Sequence, residues 1–503
     1  MIRKGVYSLN PIPSRNTLLS DDHDKPITRH KSWRRTRVFP AAFVTVLWSL
    51  HLALHGFRGD VQVDLAIGRW ILSHHAVPFR NGWSQAAYGK PFADSEWLFA
   101  FGVAVLYDVG GRWAIFAAGV LCLGALAWMV SGWAPTGRWR WVLIFFIGLL
   151  IMPVVPPRPE IVSYVGWAFL LWALDRYRTT GQRTLLWWSA GSTILWTQIH
   201  ASVVLVPGVL AAEWLGNVTD TARRRTLGGP LLLAIAGTVL RVGGPLTGGA
   251  FMRHVLTPGI LNHIVEWMPL DPRSWWGGAV IGGIVATWVV VGSAAVKKRE
   301  GLTLMWLVGG TLAALFFQRL VPYTVIGFLW LWQPVWRQKA SGASGAPMQV
   351  PLRGWDSVAL SVGLLVVSAL PLLHEGVWFV PTWPSSVLQM LRRDHATNIV
   401  ALQGDSLSGA GLQPWVNGEV QLYATQPWWP AWVATVQGQA SPAAFVVRYD
   451  PTSHWIVWPI NTRPGFGPLR LPPPWHVVWQ GTIRWYGGVQ AVPTAVWTRS
   501  AYH

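Results

Sequence analysis

The chain has 503 residues, of which 52% are hydrophobic and only 12% charged, where an ordinary soluble protein carries about 25% charged residues. That balance disfavours a soluble enzyme, and the apolar residues come in long blocks that read as membrane spans. Lys and Arg number 40 against 21 Asp and Glu, a formal charge of +19, but the basic residues sit in the N-terminal tail and in short runs such as Arg223–Arg225 and Lys297–Arg299, where they hold loops in the cytoplasm. The tail offers only Tyr7 and Trp33 as stacking platforms, so no nucleic-acid partner is expected. A lone cysteine, Cys122, excludes an internal disulfide and a CxxC metal site.

Residues 1–37 read as a basic cytoplasmic tail without the apolar core of a cleaved signal. Spans are then expected near Val38–Phe57, Glu96–Val109, Trp113–Trp133, Trp141–Val155, Glu160–Leu174, Leu185–Ile199, His200–Leu215, Leu227–Val242, Trp275–Val296, Leu302–Phe317, Leu320–Trp336 and Trp355–Leu373. The fold class is thus an all-α integral membrane bundle of about eleven or twelve transmembrane helices over residues 38–374. Many of the 37 tryptophans fall at block ends, among them Trp133, Trp139, Trp141, Trp275, Trp276, Trp336 and Trp355, where indole rings prefer the headgroup layer.

Basic loops set the orientation. With the tail, Arg176–Arg183, Arg223–Arg225, Lys297–Arg299 and Arg337–Arg353 inside, the first outer loop (58–95), Pro156–Glu160, the Ile199/His200 turn, Gly244–Ser274 and the Gln318/Arg319 turn face outward. The expected location is a bacterial cytoplasmic membrane, crossed many times. Two spans between Glu96 and Trp133 would leave Arg138 and Arg140 outside, so either Glu96–Val109 does not cross or the charge rule fails there.

The Gly/Ser/Pro stretch Ala340–Pro351 reads as a flexible cytoplasmic loop. After Leu373 a helix near Ser385–Arg393 precedes strand-like runs at Asn398–Leu402, Ala444–Tyr449, His454–Pro459, Trp475–Thr482 and Val489–Arg499, a small extracytoplasmic α/β or α+β domain over 375–503.

The first outer loop carries Asp60, Asp64, Asp94 and Glu96. In a surface helix over Gly59–Leu72, Asp60 and Asp64 are i and i+4 and share a face; two such carboxylates repel, which suits a general base or a cation site. The plainer alternative is a solvated face with Asp60 as helix N-cap. Arg158, Glu160, Gln198, His200, Glu266 and Arg319 lie in or beside apolar blocks, where ionisable groups are costly and are functional candidates. Each has a duller reading: a helix boundary for Arg158, a buried histidine bonded to a carbonyl for His200, a snorkelling side chain for Arg319. The topology nevertheless places them all on the outer side with the acidic loop.

Asp60-Val-Gln-Val-Asp64-Leu-Ala-Ile-Gly68-Arg-Trp-Ile-Leu72, His75-Ala-Val-Pro78, Gly89-Lys-Pro91 and Ser95-Glu96-Trp97-Leu-Phe99 resemble the opening of a bacterial family of polytopic proteins related to GT-C glycosyltransferases, the superfamily of the protein O-mannosyltransferases and lipid A aminoarabinose transferases. The resemblance continues through Arg158-Pro159-Glu160-Ile-Val-Ser163-Tyr164, Gln198-Ile-His200-Ala-Ser202, Glu266-Trp267 and Arg319-Leu-Val-Pro322 and into the outer C-terminal domain. It implies transfer of a sugar from a polyprenyl-phosphate donor to an extracytoplasmic acceptor, with Asp60 at the position of the catalytic base. Val61 stands where those enzymes often have a second adjacent acid, and Asp64 where relatives usually have His. Asp60, Asp64 and Glu96 are accordingly the expected catalytic groups, and Asp94, Arg158, His200, Glu266 and Arg319 the expected substrate contacts. Arg fits a lipid phosphate through its bidentate fork. A divalent cation is optional, since carboxylates bind one but no ligand spacing identifies it. The partners are the lipid-linked sugar and membrane lipids.

Two alternatives stand beside this. A scaffold of this kind without catalysis could bind lipid-linked sugar or organise envelope assembly. The run Ile399–Ser408, with Gly404-Asp405-Ser406-Leu407, is similar to the first block of GDSL-type esterases; Asp450-Pro-Thr-Ser-His454 is one residue longer than their Asp-x-x-His pair and their Gly-x-Asn-Asp block is missing, so a strand followed by a polar turn accounts for it.

Overall fold

The structure is a computed structural model that describes residues 41–49, 60–92, 94, 96–134, 138–151, 158–242, 267–298, 300–342, 383–402, 404–416, 423, 426–436, 439–460, 471–483 and 492–499. The expected span Trp355–Leu373 and site residue Glu266 lie outside the described residues. Residues 41–49 form the first helix, α1. The helices that follow are α2 (Asp60–His74), α3 (Trp97–Ser131), α4 (Arg138–Ile151), α5 (Glu160–Thr180), α6 (Thr184–Trp196), α7 (Leu205–Gly216) and α8 (Thr221–Val239). After them come α9 (Trp275–Lys298), α10 (Gly301–Phe316) and α11 (Val321–Gly342).

Two of these, α3 and α9, are long and apolar enough to cross a membrane, with mean hydropathy 2.1 in each. They are hydrophobic all round rather than on one stripe, the pattern of a helix with no aqueous face. Large apolar side chains on the outer faces of the bundle are exposed, among them Leu121, Leu232, Val285, Val289 and Leu312. Helix α3 is not continuous: Gly110 and Gly111 leave helical geometry, Gly111 with φ +58, so the two segments expected on either side of Val109 and Trp113 exist and meet at a break only glycine adopts readily. Several helices run past their apolar blocks. Arg176 and Arg178 lie in α5, and Arg223–Arg225 lie in the first turns of α8 rather than in a loop, because Asp220 caps that helix by accepting the Arg223 amide at 3.0 Å.

The helices share one core, in which Leu123, Leu126, Ile151, Tyr164, Leu170, Leu171 and Leu174 are fully buried. Tryptophan ring nitrogens within it find acceptors on neighbouring helices: Trp196 Nε1 donates to Ser163 Oγ at 2.9 Å and Trp167 Nε1 to the Tyr323 carbonyl at 2.9 Å. Helix α2 buries Val61, Val63, Leu65, Ile67 and Ile71. It crosses α3 at Gly68, where an added Cβ would lie 2.0 Å from the Ala100 carbonyl oxygen, so the approach requires glycine.

The C-terminal unit holds helices α12 (Ser385–Arg393), α13 (Gly404–Gly409), α14 (Trp429–Val436) and α15 (Pro442–Tyr449) and strands β1 (Thr397–Ala401), β2 (Gln413–Pro414), β3 (Trp455–Pro459), β4 (Trp475–Ile483) and β5 (Val492–Arg499). The sheet order is β2-β1-β3-β5-β4, with β1 parallel to β2 and β3, and β5 antiparallel to β3 and β4. Alternation divides two apolar layers: Ile399, Ala401, Val457 and Val496 pack with Val387 and Leu391 of α12, while Val400, Ile456, Trp458 and Trp497 pack with Trp415, Trp432 and Phe445. The segment Ala444–Tyr449, expected as a strand, is helical. Ser441 and Pro442 open a helix there, and Pro442, Ala443, Phe445 and Val446 form its buried stripe.

This unit sits on α2 and the loop after it. Ala87 belongs to its core; the Ala86 amide donates to the Trp415 carbonyl at 2.9 Å, Ser408 Oγ to the Trp83 carbonyl at 3.0 Å, and the Tyr423 hydroxyl to Ser84 Oγ at 2.5 Å. Gly409 lies against Gln62 of α2 so closely that an added Cβ would stand 2.8 Å from Gln62 Cβ.

Candidate functional site

Chain folding brings most of the sequence candidates to one end of the bundle. Asp60 opens α2, Asp94 and Glu96 precede α3, Arg158 and Glu160 stand at the start of α5, His200 links α6 to α7, and Arg319 lies in the turn Gln318–Leu320 between α10 and α11. Arg158 Nε is 2.7 Å from Asp60 Oδ2. Two residues on, Glu160, 3% exposed, accepts a hydrogen bond from Arg319 Nη2. The same Arg319 nitrogen is 3.2 Å from His200 Nε2, and its guanidinium stands 5.4 Å over the Trp267 ring. His200 Nε2 also lies 3.7 Å from Glu96 Oε1 and 3.7 Å from Glu160 Oε1. Arg319 thus faces buried Glu160, His200 and the Trp267 ring, and His200 faces Arg319, Glu160 and Glu96.

The His200 ring is held at both of its nitrogens. Arginine only donates, so Nε2 is the acceptor toward Arg319, while Nδ1 stands 2.7 Å from Ser202 Oγ and 3.3 Å from the Ser202 amide, which it caps. Asp64, one turn along from Asp60, is 8% exposed. The pair is not left to mutual repulsion, since Asp60 meets Arg158. Asp94 Oδ1 accepts the Glu96 amide at 2.7 Å. Burial pushes the Asp94 carboxyl up to about 6, with the Glu96 amide and the Arg241 charge pulling the other way.

Arg241 is a site residue that sequence reasoning did not single out. It follows α8, and its charge acts on Asp94, Glu96 and His200. The available signal was its place: an arginine at the end of the apolar block Leu227–Val242, on the side that the basic loops assign to the outside. Among the described residues no group of three or more His, Cys, Asp or Glu could hold a metal ion; Asp60 and Glu160 face guanidinium groups instead.

Beside the charged cluster a cavity of about 380 Å³ runs between α7, α10 and α11. Leu205, Gly208, Gly310, Leu320, Tyr323 and Gly327 line it, and its walls are almost wholly apolar. Leu320 of the cavity wall follows Arg319 in the chain.

The fold has a counterpart of known structure. The archaeal oligosaccharyltransferase AglB from Archaeoglobus fulgidus, in complex with an inhibitory peptide and a dolichol-phosphate, superposes with a TM-score of 0.54 over 86% of this chain and 70% of that one, at 13% identity. This chain has an oligosaccharyltransferase-like fold. A second structure of the Archaeoglobus fulgidus oligosaccharyltransferase, complexed with Zn and sulfate, matches with a TM-score of 0.47 over 84% of this chain and 68% of that one, at 12% identity. By sequence, no family model matches the chain, and no curated protein matches it. The chain is mostly helical with a small C-terminal sheet unit, as expected from the sequence, and among the described residues two helices are long and apolar enough to cross a membrane.

The esterase-like run ends differently. Gly404–Gly409 is helix α13, seated on α2 through Gly409, and Asp450 accepts hydrogen bonds from Asn398 Nδ2 and Thr452 Oγ1, both at 2.8 Å.

Proposed function

We propose that the chain is a membrane glycosyltransferase that moves a sugar from a polyprenyl-phosphate donor to an acceptor hydroxyl on the outer side of a cytoplasmic membrane crossed about eleven or twelve times. The observation that carries this reading is that the Glu160–Arg319–His200 cluster and an apolar cavity share one stretch of chain, Arg319 in the cluster being followed by Leu320 in the cavity wall. A lipid phosphate is charged at one end and apolar along the rest, and so needs those two surfaces side by side. The dolichol-phosphate bound to the structural counterpart has the same two-part chemistry.

In this reaction the bond from the sugar's anomeric carbon to the phosphate oxygen breaks as the acceptor oxygen bonds to that carbon. Polyprenyl phosphate leaves, and the acceptor proton passes to a carboxylate, for which Asp60 is the choice. Arg319 and Arg158 offer forks to the departing phosphate. Asp64 and Glu96 orient the acceptor, with Asp94, His200 and Glu266 as further substrate contacts. A divalent cation remains optional chemistry for the carboxylates.

One observation favours a second reading, a non-catalytic protein that binds lipid-linked sugar: Asp60 Oδ2 is engaged by Arg158 at 2.7 Å, which leaves fewer lone pairs for an acceptor hydroxyl. The deciding measurement is native mass spectrometry in nanodiscs with a short polyprenyl phosphate and its hexose conjugate, on wild type, Asp60→Asn and Arg319→Ala. Selective binding of the sugar-bearing lipid, weakened by Arg319→Ala and spared by Asp60→Asn, supports the donor site. Absence of any preference over ordinary phospholipid overturns it. Transfer lost in Asp60→Asn with binding intact separates the enzyme from the binding protein.

A further inference from the structure

Gln198, 7% exposed, makes four hydrogen bonds to two other parts of the chain. Its Oε1 accepts from Trp97 Nε1 at 2.8 Å and from the Val242 amide at 3.2 Å; its Nε2 donates to the Leu240 carbonyl at 2.7 Å; its backbone carbonyl accepts the Leu98 amide at 3.1 Å. The amide has one workable orientation, because flipping it would set two donors against the NH₂ and a carbonyl against the oxygen. The residues it holds are the neighbours of site residues. Trp97 follows Glu96, and Leu240 and Val242 flank Arg241. Two positions on from Gln198 in its own chain is His200, 3.7 Å from Glu96.

We infer that Gln198 is the positioning residue of the outer site, fixing the segments that carry Glu96 and Arg241 against the one that carries His200; the consequence for transfer rests on the glycosyltransferase reading above. Gln198 touches no reacting atom. It sets a spacing between three chain segments that no continuous helix spans, and each segment contributes one ionisable group. Without the side chain, the Trp97 indole, the Val242 amide and the Leu240 carbonyl each lose a partner, and the segments are free to settle elsewhere.

The test compares wild type with Gln198→Met, which keeps the length and removes both polar atoms, and Gln198→Glu, which keeps an oxygen for Trp97 and Val242 and sets a second oxygen against the Leu240 carbonyl. Hydrogen–deuterium exchange of the full chain in nanodiscs reads the tie itself, independently of activity. The Val242 amide should exchange faster in Gln198→Met and to an intermediate degree in Gln198→Glu, while amides in the α5 core keep wild-type protection. Transfer assays read the consequence. A displacement of about 1 Å in a positioned group costs roughly 100-fold in rate, so kcat of Gln198→Met should fall by about that factor with the donor KM unchanged.

The double variant Gln198→Met/Glu96→Gln should be no slower than the slower of its two parents, because both changes remove the same placed carboxylate. Unchanged exchange at Val242, loss of protection throughout the bundle, or a double variant whose loss is the product of the single losses overturns the assignment. If wild type transfers no sugar to any acceptor, the transferase reading falls, and the exchange result alone decides whether Gln198 sets the spacing.

Discussion

Burial is what turns the charged residues at this end of the bundle into a coupled set. Glu160 is nearly inaccessible and depends on Arg319 for compensation, so removing that arginine leaves a buried charge uncompensated, a loss of about 3–5 kcal/mol. Asp94 shows the same physics in a group that titrates near neutrality. Its folded carboxyl is raised from 3.8 to about 6, so the folded protein binds the proton more tightly than the unfolded chain. By linkage, the resulting penalty is absent below pH 3.8, grows between 3.8 and about 6, and is constant above. Asp94→Asn keeps the oxygen that accepts the Glu96 amide and removes the titration. It should therefore melt higher than wild type at pH 7 to 8, with the advantage shrinking as pH falls through about 6 and gone near pH 4. A melting difference independent of pH would show that Asp94 does not titrate in this window.

At the scale of elements, the candidate site is assembled from helix ends and turns, each too short to be read alone. Arg158 and Glu160 were legible as costly charges beside an apolar block, and Arg319 likewise. That Arg319 meets Glu160 across 159 residues, or that Asp60 meets Arg158, is a property of how helices stack and has no local signature. Arg241 escaped because its segment carries no motif. The α15 region was misread for the opposite reason: a β-branched, aromatic run suggested a strand, while the Ser441–Pro442 start decided for helix.

The cavity between α7, α10 and α11 makes an element-level prediction. Gly208 lines it with nothing within 4 Å of the space a Cβ would take, so Gly208→Leu has open space at its first carbon, puts its branches into the cavity and replaces a poor helix former with a good one. Folding and melting temperature should be retained, while affinity for polyprenyl phosphate drops more than about tenfold, the equivalent of ~1.4 kcal/mol of lost apolar contact. A variant that binds the lipid as wild type does would place the lipid elsewhere.

For the whole molecule, the C-terminal unit is coupled to the site through the helix that carries Asp60. Its α13 rests on Gln62 at a separation only glycine allows, two residues from Asp60, and Ser408, Trp415 and Tyr423 bond the loop that follows. Gly409→Val puts branched carbons where Gln62 stands and forces the two apart, whereas Gly411→Ala, at a glycine with φ +76 and open space around it, strains the same unit locally without touching α2. If the unit presents the acceptor, Gly409→Val should lower transfer to the native acceptor by an order of magnitude or more with donor binding intact, and Gly411→Ala should lower the unit's stability but not transfer at a temperature where it stays folded. Deletion of Pro384–His503 should abolish transfer and spare donor binding. Transfer that survives both Gly409→Val and the deletion would assign acceptor choice to the bundle alone and leave the sheet unit as a cover over α2.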